Sequence, residues 1–222
     1  MPIPTDGVDV WVFDLDNTLY NPTRADLMPQ MHLRMQEFLT DRFKIDISEA
    51  DRMREFYYQT YGTTLRGLME HHDMHPEEFL PYCHQLDLKD IVYEKPLDDA
   101  LAALPGRKLV YTNATEAHAS AVMEKLGISR HFEAIFDIAE ADYHPKPWAP
   151  SYDVFMERYG VDPTRSAMFE DTAKNLKPAH DLGMRTIWMR NDRPSAQPGA
   201  SAEHIHHVAD ELADFLDEVL AA

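Results

Sequence analysis

The chain has 222 residues, 44% of them hydrophobic and 27% charged, with a net charge of −18 and one cysteine, Cys83. That acidity argues against a long nucleic-acid polymer as partner, because such a polymer needs a basic footprint. A single cysteine excludes an intramolecular disulfide and fits a reducing cytoplasm, and no stretch reaches the apolar length of a membrane span. The expectation is a cytoplasmic globular protein with one large core, or a core with a second small one.

Residues 8–13 are a β-branched and aromatic run, too short for a helix and apolar enough for a buried strand. The run delivers Asp14 and Asp16, followed at once by Asn17 and Thr18. From 25 to 43, apolar residues recur at Leu27, Met31, Met35, Phe38, Leu39 and Phe43 as a helical stripe. Ser48 signals the start of a second helix that runs to Tyr61. Thr63 caps a third through Met69, and Pro76 opens a fourth carrying Phe79, Leu80, Tyr82 and Cys83. Strand-like alternation is missing between Pro22 and Lys95, so residues 22–94 read as an all-helical cap inserted after the first strand.

Beyond the cap an α/β rhythm resumes. Strands are predicted at 108–112, 132–138, 166–170 and 185–189. Helices are predicted at 98–104, 115–126 and 173–182, with another marked by Tyr152, Phe155, Met156 and Tyr159. A Pro/Ser/Gly/Ala loop at 190–202 leads to residues 204–208 and a last amphipathic helix ending at Leu220. Alternating strands and helices imply an α/β fold: a doubly wound, mostly parallel sheet, Rossmann-like, built from 1–21 and 95–222.

Strand ends deliver the chemistry: Asp14 and Asp16, Thr112 and Asn113, Glu170 and Asp171, with Lys146 in a loop. In a parallel sheet those ends share one edge, where ligands of open α/β folds bind. Oxygen ligands in such a cluster suit Mg²⁺. Lys146 can neutralise a phosphoryl group, and Thr112 can hydrogen-bond a phosphate oxygen. One carboxylate can then approach phosphorus, which points to phosphoryl transfer through an aspartyl-phosphate.

This pattern resembles the haloacid dehalogenase-like phosphohydrolase superfamily, in the branch whose helical cap follows the first strand. Its D-x-D-x-T motif stands here as Asp14-Leu-Asp-Asn-Thr18, its strand-end hydroxyl as Thr112, its lysine as Lys146 and its acidic pair as Glu170-Asp171. The resemblance implies that Asp14 is the nucleophile and that Asp16 is the general acid, then the base for water. It also implies that Asp14, Asp171 and the backbone carbonyl of Asp16 hold Mg²⁺, with Glu170 reaching it through water and Lys146 bridging Asp14 and phosphate.

Further stretches resemble the pyrimidine 5′-nucleotidase family. They are Phe-Asp-Leu-Asp-Asn-Thr-Leu-Tyr at 13–20, Thr112-Asn-Ala114, His118-Ala119 and Phe-Glu-Asp-Thr-Ala-Lys-Asn-Leu at 169–176. The cap adds Tyr-Gly-Thr-Thr-Leu-Arg-Gly-Leu at 61–68 and Tyr-Cys-His-Gln-Leu-Asp at 82–87, with Cys83 where an apolar residue such as valine is expected. The resemblance implies uridylate, cytidylate or a deoxy analogue as substrate, with Tyr20, Thr64 and His84 as candidate substrate contacts. Phosphoglycolate or another small phosphate ester is the alternative. A dehalogenase is disfavoured by Asp16, since a halide leaves unprotonated, and a phospho-accepting switch is disfavoured by Asp16 and the large cap.

Several residues admit two readings. Thr112 and Asn113 bind phosphate or are plain strand-end turn residues. Lys146 lies between Pro145 and Pro147, which stiffen its loop and allow a cis bond at Lys146–Pro147. Asn175 is a helix surface residue or a partner of the acidic pair, and His84 touches the base or stabilises the cap. Arg66 snorkels or meets substrate, and Cys83 packs in the cap. The clusters His71, His72, His75 and His204, His206, His207 offer transition-metal ligands, but neither has a cysteine partner or a helical i, i+4 pair.

Overall fold

The computed structural model of the protein describes residues 7–222. Strand β1 (Val10–Phe13) is buried at every position and lies between β2 (Arg107–Tyr111) and β4 (Ser166–Glu170), parallel to both. A strand covered on both faces needs an apolar residue at each position, which is why Val-Trp-Val-Phe is unbroken. β2 pairs with β3 (Ala134–Phe136), β4 with β5 (Arg185–Met189), and β5 with β6 (His207–Ala209). The order is β3-β2-β1-β4-β5-β6 with every pair parallel, so the sheet expected to be mostly parallel is wholly so among the described residues.

The pleat sorts the strand residues onto two faces. Trp11, Phe13, Val110 and Phe169 pack with α5 (Lys95–Ala103), α6 (Glu116–Leu126) and α9 (Leu212–Leu220). Val10, Val12, Tyr111 and Met168 pack with α7 (Ala149–Tyr159) and α8 (Leu176–Asp181) on the other side. Helices on both faces of one sheet make a doubly wound core.

Between β1 and β2 the chain forms α1 (Met28–Phe43), α2 (Ile47–Tyr61), α3 (Thr64–His72) and α4 (Pro76–Cys83). These helices enclose a separate cluster around Leu39, Ala50, Leu68, Phe79 and Cys83. Burial there pushes the Cys83 thiol up to about 12, as suits a packing residue. Gly67 lets α3 lie directly on the Tyr57 ring of α2, where a Cβ would collide with it. No helix among the described residues is long and apolar enough to cross a membrane.

Element boundaries differ from expectation where local chemistry competes. The second helix starts at Ile47 because Asp46, not Ser48, caps it, accepting from the Glu49 amide at 2.8 Å. Ser48 lies inside the first turn and accepts from Arg52 Nη1 at 2.7 Å. The first helix begins at Met28 rather than residue 25, with Pro29 in its first turn. The strand expected at 132–138 is only Ala134–Phe136, after a 3₁₀ turn at Ser129–His131. The helix expected at 173–182 opens with a 3₁₀ turn, Ala173–Asn175, before α8.

Candidate active site

The strand order reverses between β1 and β4, so the carboxyl ends of these neighbours flank a topological switch point. Asp14 follows β1 directly, and its amide donates to Phe169 O at 2.9 Å. The chain then turns sharply: Thr18 and Leu19 amides donate to Leu15 O, and Asn17 takes a left-handed φ of 65°. Asparagine tolerates that region better than most residues. The turn sends Asp14 toward Glu170 and Asp171, and Asp16 toward Tyr20 and His118.

Lys146 is the hub of the first group. Its Nζ donates to Asp14 Oδ1, Glu170 Oε2 and Tyr111 O, each at 2.7 Å, so all three of its N–H bonds are used. It is 2% exposed, and its peptide bond to Pro147 is cis. Burial opposes the charged ammonium, but Asp14 and Glu170 outweigh burial and raise the lysine pKa. Thr18 Oγ1 donates to the other Asp14 oxygen at 3.1 Å. Burial and the nearby Glu170 push the Asp14 carboxyl up to about 7 against the pull of Lys146. Burial, Glu170 and Asp14 likewise raise Asp171 well above the usual carboxylate range.

Asp16 has different company. Its Oδ1 accepts from Tyr20 OH at 2.7 Å and from His118 Nε2 at 3.0 Å. Burial works to raise the Asp16 pKa, but His118 and then Tyr20 overcome it and hold the carboxyl below its ordinary value. His118 is raised in turn, with Asp16 prevailing over burial. His84, at the end of α4, stacks on His118 with ring centroids 4.8 Å apart, and burial plus His118 push it down to about 4.

A cavity of about 400 Å³ opens above these groups, between the sheet edge and helices α1–α4. Asp14, Asp16, Thr112, Asn113, Lys146, Glu170 and Asp171, all expected from sequence to share a site, line it together. Thr112 Oγ1 accepts from the Ala114 amide at 3.0 Å, which leaves its own proton to donate. The side chain of Asn113 bonds the backbone of Lys146 instead of pointing a free amide at the cavity. Thr64 and His84 are in the wall, but Thr64 Oγ1 donates to Arg54 O at 3.1 Å. Tyr20 is outside the lining, with its hydroxyl on Asp16. Arg66 pairs with Glu70 at 3.6 Å and does not line the cavity.

The histidine clusters have protein partners. His72 Nε2 meets Tyr57 OH at 2.7 Å and His71 Nε2 meets Tyr61 OH. His204 Nε2 meets Ala173 O at 2.9 Å, and His206 Nδ1 accepts from the Thr186 amide at 3.1 Å. The role of His118 was not assigned from sequence. The signal for it was a histidine in the first turn of a helix that follows a site-bearing strand.

The donor set suits a hard cation. Asp14, Glu170 and Asp171 each offer an oxygen, and these atoms lie within 4.8 Å of one another. Asn17 Oδ1 and Asn175 Oδ1, also in the cavity wall, are buried without a hydrogen-bond partner among the described residues. Of the three buried carboxylates, Asp14 and Glu170 share the Lys146 ammonium and Asp171 has no direct ion pair among the described residues, and every candidate ligand is oxygen. The Asp16 carboxylate is not in the group, which leaves that residue only its backbone carbonyl for a metal.

The family model for haloacid dehalogenase-like hydrolases matches residues 8–183. The chain belongs to that family. Among curated relatives it is 29% identical to phosphate metabolism protein 8 of Saccharomyces cerevisiae over 208 residues, 83% of this chain and 62% of that one. It is 30% identical to the fructose-1-phosphate phosphatase YqaB of Escherichia coli over 105 residues, 46% of this chain and 55% of the other. The chain therefore spans roughly six-tenths of the length of the curated relatives it matches. A haloacid dehalogenase-like phosphatase from Thermococcus onnurineus superposes with a TM-score of 0.63 at 17% identity, covering 96% of this chain and 98% of its own, a likeness of fold. Membership of that family places the chain among the hydrolases, and the Escherichia coli relative is named a phosphatase.

Proposed function

We propose that this family member is a Mg²⁺-dependent phosphomonoesterase that hydrolyses pyrimidine nucleoside 5′-monophosphates through an aspartyl-phosphate on Asp14. The observation that carries the reading is the Asp14 carboxylate, bonded to buried Lys146 at the floor of the cavity, with Asp16 two residues on. In this scheme an Asp14 oxygen attacks phosphorus as the ester P–O bond breaks, and Asp16 gives its proton to the leaving oxygen. Asp16 then takes a proton from water, whose oxygen attacks phosphorus, releasing phosphate and restoring Asp14. Lys146 and Thr112 balance charge on the phosphoryl oxygens, while Asn113 holds Lys146 in place. Asp14, Asp171, Glu170 and the Asp16 carbonyl would hold Mg²⁺, which when bound supplies further neutralisation of phosphate charge.

Helices of 22–94 act as the cap in this reading, and the core is 1–21 with 95–222, of which 1–6 lie outside the described residues. Their cavity wall supports a nucleoside as leaving group. It presents Met31, Met35, Leu65, Phe79 and Leu80, an apolar and adaptable surface suited to a flat base. A cavity of about 400 Å³ has room for a nucleoside, far more than a two-carbon acid such as phosphoglycolate requires. The name of the Escherichia coli relative supports a second reading, a sugar phosphate. Both fit a cytoplasmic enzyme of small phosphometabolites.

Phosphate release from a panel of pyrimidine and purine nucleotides, sugar phosphates and phosphoglycolate, with Mg²⁺ and with a chelator, tests the proposal. Chelator-sensitive turnover highest on uridylate or cytidylate is expected. Chelator-sensitive turnover highest on another ester discards the substrate while keeping the mechanism. Absence of turnover on every ester discards both.

A further inference from the structure

We propose that His118 is a positioning residue for Asp16: with Tyr20 it fixes the carboxylate so that Oδ2 serves the leaving group and the attacking water, and His84 ties this arrangement to the cap. The inference rests on reading Asp16 as the general acid and base.

Both donors to Asp16 meet the same oxygen, Oδ1. Two hydrogen bonds on one oxygen define the carboxylate plane, and among the described residues no hydrogen bond engages Oδ2. A proton carried by Asp16 is therefore directed to Oδ2, because Oδ1 is already an acceptor twice over. Asp16 is itself in the cavity wall, so the oxygen left for the proton belongs to the residue beside which the ester must sit. Leaving-group protonation and water deprotonation need the same oxygen in the same place.

The support behind His118 is built from both parts of the protein. Thr115 caps α6 by accepting from the His118 amide at 3.3 Å, and its hydroxyl also meets His84 Nδ1 at 3.2 Å. His84, from the helical segment, lies almost flat on the His118 ring, with an interplanar angle of 16°. His118 is thus held by Asp16 at one ring edge, by Thr115 through its backbone, and by His84 across its face. Its side chain is 2% exposed, an unusual burial for a histidine unless its polar atoms have an assigned task. His84 also lines the cavity, so the ring that holds Asp16 is itself backed by a cavity-wall residue of the helical segment.

The test uses wild type, His118→Leu, His118→Gln and Asp16→Asn, each with Mg²⁺, on p-nitrophenyl phosphate and on the best alkyl ester of the panel. Nitrophenolate leaves without a proton, so phosphoryl transfer from p-nitrophenyl phosphate does not need the acid, whereas release of phosphate still needs the base. In His118→Leu the expected result is a burst of about one nitrophenolate per active site followed by slow turnover. On the alkyl ester the same variant should lose about 100-fold in kcat, without a burst and with KM little changed. His118→Gln, which returns an N–H near the lost Nε2, should recover most of that loss. If His118→Leu does not fold, His118→Asn, whose amide is too short to reach Oδ1, replaces it.

Wild-type rates in the His118 variants overturn the inference, as does a burst-free loss of equal size on both esters. Asp16→Asn separates the two layers. If it turns over normally, the acid and base reading of Asp16 fails; if it is impaired while the His118 variants are not, only the positioning role fails.

Discussion

Asn113 grips the peptide of Lys146 from both sides, its Oδ1 accepting from the Lys146 amide at 2.8 Å and its Nδ2 donating to the Lys146 carbonyl at 3.3 Å. A residue two positions beyond the end of β2 thus holds in place a loop 33 positions later, and with it the ammonium that meets Asp14. Asn113→Ala removes both bonds and leaves the catalytic groups themselves untouched. Turnover should fall about 10- to 100-fold, the usual cost of losing a partner that orients a functional group. Steady-state kinetics beside a thermal melt checks this, and unchanged kcat in a folded variant contradicts it.

Removing the ammonium has a larger effect. Lys146→Met leaves Asp14 and Glu170 buried without their shared partner. Breaking a buried ion pair on one side costs about 3–5 kcal/mol, and turnover should vanish. Mg²⁺ should restore part of the stability, since it would neutralise the same carboxylates. Denaturant melts with and without Mg²⁺ read the result; a loss that Mg²⁺ leaves unchanged refutes the shared-charge account.

Mg²⁺ should stabilise the wild type through the Asp14, Glu170 and Asp171 group. At a concentration 100 times the dissociation constant the gain is about 2.7 kcal/mol. Asp171→Asn should lose most of the gain. Thermal shift against Mg²⁺ concentration measures both, and equal shifts in the two proteins place the ion elsewhere.

Away from the site, Asp98 makes stability depend on pH. His131 at 2.6 Å and then Arg130 hold its carboxyl down at about 2, against an ordinary 3.8, and Tyr93 OH adds a bond at 2.9 Å. A carboxyl lowered by folding contributes fully above its unfolded pKa and loses that contribution as pH falls toward the folded one. The window is therefore pH 4 to 2, on the values of about 2 and 3.8. Asp98→Asn should be less stable than wild type at pH 7, with the difference shrinking steadily through this window. Denaturant midpoints at several pH values decide it, and a constant difference rules it out.

Much of this protein was legible locally. The Val-Trp-Val-Phe run had to be a covered strand, and acids placed directly after it had to emerge at the sheet edge. Caps at Thr63 and Thr115 and the left-handed Gly127 follow from side chains and glycine acting on their own backbone. The misplaced start at Ser48 shows the limit of such signals, because Asp46 competed for the same amides two residues earlier and won.

The sequence by itself determined the kinds of groups available: acids, one lysine and a hydroxyl at strand ends, with an acidic chain around them. These choices are local, set by side-chain chemistry and by the period of apolar residues. Only the tertiary structure decided which oxygen of Asp16 is occupied, that the Asn113 amide is bonded to the Lys146 backbone, and that His84 and His118 stack across the boundary of helices and sheet. The physical reason is range. A hydrogen bond acts over about 3 Å, so partners 102 positions apart, as His118 and Asp16 are, leave no periodic or composition signal in the chain that joins them.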